Sequence, residues 1–445
     1  MKRFWLAGGV AALAVTLVSG TAISRGFGQA ARQTIATAPL PANHGFAPGT
    51  SALASAYVES RKAPGIVIAF GKADGPLMFA SAGALADDVG AAKADPDSLW
   101  RVYSMTKPIT GIAAMMLVED GKLGLDQPVS DFIPGFKSMK VLTDPANSLA
   151  SRPAARVVTV RHLLTHTAGL GYTIVTKGPL LKEYERLGIT PGAINASVEA
   201  EARKTRPASL KEFADRVATL PLIADPGTQW SYSIGLDVLA RVVEVAGGMP
   251  FERFVQARLF DPLRMNSSYW TVPESEIGRF ATNYLWAGEN RIPFDPAKGS
   301  VYAVPPSFPY GGAGLVMSAR DYDRFLHMLL NDGTLDGARV MKPETVRLAM
   351  SNLLPAGVVF AGAPGGSGGD TAPKMGFGAG GSVYLEGVPG GPGKGTYGWG
   401  GAAGTVAWVD PANKVRATAM VNYFPSDKWP LRADVVKAVY VDLAR

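Results

Sequence analysis

The chain has 445 residues, 47% of them hydrophobic and 18% charged, which is enough apolar material for a substantial core and excludes a disordered tether. Its net charge of +7 comes from 44 basic against 37 acidic residues, with no basic run interleaved with aromatics, so nucleic acid is not an expected partner. There is no cysteine, which removes disulfides, thiol nucleophiles, thiolate metal sites and an N-terminal lipidated Cys from consideration.

Lys2 and Arg3 precede a mostly apolar run over residues 5–18, shorter than the ~20 residues that span a bilayer. Small residues follow, at Gly20-Thr21-Ala22 and Gly28-Gln29-Ala30. This is the pattern of a cleaved signal peptide within residues 1–30, and it predicts an exported protein, periplasmic or secreted, with no stable membrane span after cleavage. An uncleaved N-terminal anchor is the alternative.

Residues 50–62 read as an amphipathic helix ahead of Pro64-Gly65. Ile66 to Phe70, a turn at Asp74-Gly75-Pro76, and Leu77 to Phe79 read as a β-hairpin. After a polar loop comes Ser104-Met105-Thr106-Lys107, followed by apolar Ile109, Ile112, Ala113, Met116 and Leu117 at the spacing of an amphipathic helix. Ser104 and Lys107 thus lie one turn apart at its start, and Asp120-Gly121 supplies a stop. A hydroxyl at a helix N-terminus one turn from an amine suits acyl transfer. About one S-x-x-K match arises by chance at this composition, so the tetrad needs its context.

Helical signals dominate from 108 to about 270: 160–167, 210–219, 236–246 and 251–259. Residues 171–208 are polar and weakly periodic, and read as a lid-like insertion. A further helix is expected over 321–330. Beyond Gly/Pro-rich 356–369, strands are expected at 381–386, 404–409 and 414–423, then a helix at 431–443. The order predicts an α/β (α+β) chain in which both ends build an antiparallel sheet flanked by helices. Its parts are 31–107 and 321–445, with mostly helical 108–320 between them.

Two later stretches join the S-x-x-K tetrad. Trp230-Ser231-Tyr232-Ser233 precedes a helix with Leu236, Leu239, Ala240 and Val243 on one face, so Tyr232 stands at a helix entrance. Gly398-Trp399-Gly400-Gly401-Ala402 reads as a glycine-rich bend before a strand, where exposed N–H groups can bind an oxyanion. Singly, each has a plainer reading, as a packed tyrosine or an ordinary bend.

In order and together, these elements resemble the penicillin-recognising serine hydrolases: class C β-lactamases, DD-peptidases and especially the family VIII carboxylesterases. Arg161 to Leu170 (RHLLTHTAGL), Phe260-Asp261-Pro262-Leu263, Gly311-Gly312-Ala313-Gly314-Leu315 and Trp408-Val409-Asp410-Pro411 extend the similarity over about residues 50–440. The resemblance implies a β-lactamase/transpeptidase-like fold without metal or organic cofactor. It implies Ser104 as nucleophile, Lys107 and Tyr232 as its activating pair, and the N–H groups of Ser104 and Ala402 as oxyanion hole. An amine that titrates near 10.4 in water serves as a base at pH 7 only when desolvated or beside another cation. Which of Lys107 and Tyr232 is the formal base stays open.

Two departures bear on substrate. Trp399 stands where the lactamases and peptidases carry Lys or His toward the substrate carboxylate, and Ile234 stands where they carry Asn. With Gly400 and Gly401, these are the expected substrate-binding residues, and both changes point to neutral small-molecule esters. The expected activity is ester cleavage through an acyl-enzyme, with acyl transfer as an extension. A DD-peptidase or weak β-lactamase is the alternative, and a non-catalytic wall-binding protein a further one. Gly365-Gly366-Ser367-Gly368-Gly369 matches the α/β-hydrolase G-x-S-x-G pattern without the strand and helix that motif needs. His162 and His166, four apart on an expected helix, have the spacing of zinc ligands, but no Glu sits beside His162 and no third ligand is evident. His44 and His327 are isolated, leaving no candidate for a Ser-His-Asp triad.

Overall fold

A computed structural model describes residues 47–190, 192–362 and 373–444. The signal-peptide segment, His44 and the G-x-S-x-G match lie outside the described residues.

Both chain ends build one seven-stranded antiparallel sheet. Its strands are β1 (Gly65–Lys72), β2 (Met78–Gly83), β3 (Met375–Phe377), β4 (Ser382–Tyr384), β5 (Tyr397–Gly400), β6 (Val406–Asp410) and β7 (Val415–Met420), in spatial order β3-β4-β5-β6-β7-β1-β2. Val67 is paired with Met420 on one side and Ser81 on the other, so the N-terminal hairpin completes a sheet made mostly by the C-terminal third. Alternation sorts β1 between two cores. Ile66, Ile68 and Phe70 pack with Ala54 and Tyr57 of α1 (Pro48–Glu59) and with Val435 and Val439 of the terminal helix Leu431–Leu443. Val67 and Ala69 face the larger core shared with α2 (Thr106–Glu119). The outer helices are tied end to end. The Asp442 carboxylate accepts the N–H groups of Gly49 and Thr50 and the Thr50 hydroxyl, each at 2.8 Å, which satisfies the free first turn of α1.

α2 differs from its amphipathic expectation. Every residue from Thr106 to Leu117 is buried, polar ones included, so it is a central helix covered on all sides. The helical region around it contains α3 (Val160–Leu164), α4 (Gly178–Arg186), α5 (Ala196–Ala202), α6 (Leu210–Ala218), α7 (Gly235–Gly247) and α8 (Phe251–Val255). The expected lid at 171–208 is thus partly helical, with Leu180 and Tyr184 of α4 buried in the main core. α3 stops at Leu164, and His166 lies beyond it in left-handed backbone (φ 57°), so the histidines do not share a helix. The bend expected at Gly398–Gly400 is strand β5 itself, and only the residues after it turn. The helices α9 (Ala319–Leu330), α10 (Pro343–Ala349) and α11 (Leu431–Leu443) close the C-terminal part. Among the described residues, no helix is long and apolar enough to cross a membrane.

Candidate active site

Ser104 sits in a 3-10 turn, Tyr103–Met105, between the short strand Leu99–Arg101 and α2. Tyr103 holds φ 43°, which is unfavourable for a residue with a Cβ and common at functional turns. The surroundings hold it there. Its hydroxyl oxygen accepts the Asn283 amide at 3.0 Å, and its ring meets Tyr302 edge-on. Tyr322 donates its hydroxyl to the Met105 carbonyl at 2.9 Å, fixing the turn from below.

The three expected groups converge. Tyr232 donates its hydroxyl to Ser104 Oγ at 2.8 Å, and Lys107 Nζ donates to the same oxygen at 3.2 Å. Lys107 is fully buried, its Nζ 4.7 Å from the Tyr232 ring centre and 5.5 Å from that of Tyr172. Its second acceptor is the Gly312 carbonyl at 2.7 Å. Gly312 in turn donates its N–H to Asp237 Oδ1 at 2.8 Å. A Cβ on Gly312 would lie 2.5 Å from Asp237 Oδ2, so only glycine lets that carboxylate close on the loop. Asp237 is wholly buried and its Oδ2 has no partner. Burial pushes its carboxyl up to about 6, while the Lys107 amine pulls it back.

The turn after β5, where the oxyanion hole is expected, runs beside Ser104. Gly401 packs so tightly on Val102, two residues before Ser104, that a Cβ would lie 2.4 Å from the Val102 carbonyl oxygen. Among the described residues, no acceptor within the chain takes the N–H of Ser104 or of Ala402. Ala402 is exposed at this rim.

An aromatic wall borders the serine. Trp399 lies 5.7 Å from Tyr232, 5.3 Å from Phe377 and 6.4 Å from Phe360, centre to centre. Trp230 extends it, 4.8 Å from Phe360. Ile234 is not part of this surface. It is completely buried in the core of the helical region, beneath Tyr232, and presents nothing to a substrate. His166 backs the wall: its ring centre is 4.8 Å from that of Tyr232, and its Nδ1 accepts the Ser233 N–H at 3.2 Å. Burial holds it well below the usual histidine range, and Lys107 adds to the effect. His162 uses Nδ1 in the same way, accepting the Thr159 N–H at 3.2 Å. Asp237, Gly312, Tyr172, Phe360 and Phe377 are additions that the sequence did not single out for the site, although Asp237 lies on the helix that Tyr232 introduces.

The beta-lactamase family profile matches residues 50–440. This chain belongs to that family. Esterase EstB of Burkholderia gladioli is 32% identical over 391 residues, covering 82% of this chain and 88% of the relative. The structure of simvastatin synthase (LovD) from Aspergillus terreus superposes with a TM-score of 0.71 at 25% identity, covering 88% of this chain and 97% of the other. EstCE1, a hydrolase with promiscuous acyltransferase activity, gives a TM-score of 0.69 at 25% identity, with the same coverage. This beta-lactamase-family protein has the β-lactamase/transpeptidase-like fold, and it is a serine hydrolase of the carboxylesterase kind.

Proposed function

We propose that the protein cleaves neutral carboxylic esters through an acyl-enzyme on Ser104. The observation that carries this is the Ser104 oxygen held at once by Tyr232 and Lys107. Ser104 Oγ attacks the ester carbonyl carbon while its proton passes to the basic member of the Tyr232–Lys107 pair, either Lys107 as the neutral amine or Tyr232 as the phenolate, which activates an otherwise weak nucleophile. The carbonyl oxygen becomes an oxyanion facing the N–H groups of Ser104 and Ala402. Collapse breaks the ester bond, and the departing alcohol takes the proton from the pair. Water then releases the acid by the same steps in reverse order, and a second alcohol in its place gives acyl transfer.

The Trp399, Phe377, Phe360 and Trp230 wall offers apolar contact and no cation where the lactamases and peptidases carry one, which supports small to medium apolar acyl groups over carboxylate-bearing β-lactams. We also propose export to the periplasm or beyond, on the strength of the basic, apolar and small-residue pattern of residues 1–30. The test is hydrolysis of p-nitrophenyl esters over a range of acyl lengths, beside a chromogenic cephalosporin and a D-Ala-D-Ala peptide. Butyrate turnover is expected, and Ser104→Ala should abolish it. Turnover confined to the cephalosporin or the peptide would establish the lactamase or peptidase reading instead.

A further inference from the structure

Arg432 is in an unfavourable place for a cation. It is the second residue of the 13-residue helix α11, where the helix dipole is positive, and among the described residues no carboxylate forms an ion pair with it. Its Nε is buried without a partner. What the guanidinium does hold is main chain. Its Nη2 donates to the Gly401 carbonyl at 2.7 Å, and it lies over Gly400 so closely that a Cβ there would be 2.6 Å from Cζ. Gly404 N–H reaches the same carbonyl more weakly, at 3.2 Å.

The Gly401 carbonyl and the Ala402 N–H belong to one planar trans peptide and point in opposite directions. Whatever fixes the carbonyl therefore fixes the direction of the N–H. We infer that Arg432 is a positioning residue of the oxyanion hole: it grips the back of the Gly401–Ala402 peptide and aims the Ala402 N–H at the oxygen bound to Ser104. The inference rests on the reading given under Proposed function. A charged donor on the carbonyl also draws electron density from the amide and makes its N–H a stronger donor. Both effects act before the reaction starts, which is what preorganisation requires. The partnerless Nε and the bare α-carbon of Gly400 then follow from the same arrangement: the guanidinium is brought down onto the strand end at the expense of its own solvation. Direct capture of a substrate anion is the competing role, and it is less favoured because the visible bond is to backbone.

The test uses the full-length enzyme with Arg432→Met, which keeps most of the side-chain volume, and Arg432→Lys, which keeps the charge but not the fork. Loss of a whole oxyanion donor lowers kcat by about 10²–10³, so a misaimed donor should lower it by roughly 10- to 100-fold with KM changed by less than about twofold. The Lys variant should recover part of that loss. Binding of butylboronic acid, which forms a tetrahedral adduct on the serine, should weaken in Arg432→Met by the same factor as kcat/KM. Unchanged kcat in both variants, or a rise in KM confined to carboxylate-bearing esters, would overturn the positioning role. Should Arg432→Met fail to fold, Arg432→Lys alone decides, since a wild-type kcat there removes the need for the fork. Failure of the underlying reading looks different: the wild type itself would hydrolyse no ester, or Ser104→Ala would stay active.

Discussion

At the scale of single residues, the site is braced through one glycine. Gly312 donates to Asp237 on one side and accepts from Lys107 on the other, so the buried carboxylate and the buried amine hold the two peptide units that flank one α-carbon. An ionised Asp237 polarises the Gly311–Gly312 peptide and offsets the positive charge that the Lys107–Tyr232 pair gains with the serine proton, in a medium where an unbalanced charge is expensive. Because burial raises the Asp237 carboxyl to about 6, the ionised form is the one present above that pH. The kcat/KM profile should therefore rise through pH 6 as Asp237 loses its proton. Asp237→Asn should keep an acceptor for the Gly312 N–H, lose that acidic limb, and show a roughly tenfold lower plateau, the scale of a charge-assisted hydrogen bond reduced to a neutral one. A pH–rate profile of the variant that still turns over near pH 6 would assign the limb to another group.

At the scale of elements, the reacting helix is seated by direct backbone contact. Gly111 on α2 faces the Ala379 carbonyl so closely that a Cβ would lie 2.1 Å from the oxygen. Alanine is favoured over glycine within a helix by ~1 kcal/mol. Here the clash is with main chain that cannot swing aside, and overpacking of that kind costs about 1–3 kcal/mol. Gly111→Ala should thus lower the melting temperature and reduce kcat, because the shift moves Ser104 and Lys107 together against the sheet. Gly278→Ala, at a position with nothing within 4 Å, is the matched control and should be neutral. Equal melting temperatures for the two variants would show that the helix tolerates the displacement. The same elements show what could be read from sequence. α1, α7 and α11 are legible because each buries one face or one stripe, whereas the β1–β2 hairpin, whose β1 is buried on both faces, is legible as an unbroken apolar run beside turn residues. α2 reads as amphipathic in the sequence because its Thr and Lys positions, buried in the fold, look like a polar face. β5 reads as a bend because a Gly-Trp-Gly strand lacks the β-branched residues that mark strands. Ser104, Lys107 and Tyr232 were legible because their chemistry lies in their side chains. Asp237 and Gly312 were not, since one acts through the backbone of the other across 75 positions of sequence.

At the scale of the whole molecule, the buried titratable groups set opposing responses to acid. Burial raises Asp237 and Asp321 to about 6, so between about pH 4 and 6 each is protonated in the folded chain and ionised in the unfolded one. These two aspartates favour folding as pH falls through that window. Burial lowers His162 to about 4 and His166 well below the usual value, so in the same window each is neutral when folded and charged when unfolded. These histidines oppose folding as pH falls. His327 is lowered too, chiefly by burial, but it is partly in solvent and adds a smaller pull in the same direction. The surface carboxylates held low by arginines, such as Asp126 and Asp225, lose their partners' help only below about pH 4. Two proton-binding groups in the folded state thus nearly offset two in the unfolded state, and stability should change little from pH 6 to 4.5. Asp321→Asn breaks the balance without emptying the site. Asp321 accepts the Ser267 N–H at 2.6 Å and the Ser268 hydroxyl at 2.9 Å, and an amide oxygen can accept both. The variant should lose about 1.4 kcal/mol of stability per pH unit on acidification through this window, the slope of one uncompensated proton. Urea midpoints at pH 6, 5.25 and 4.5 measure it, and parallel curves for variant and wild type would mean that Asp321 does not titrate there.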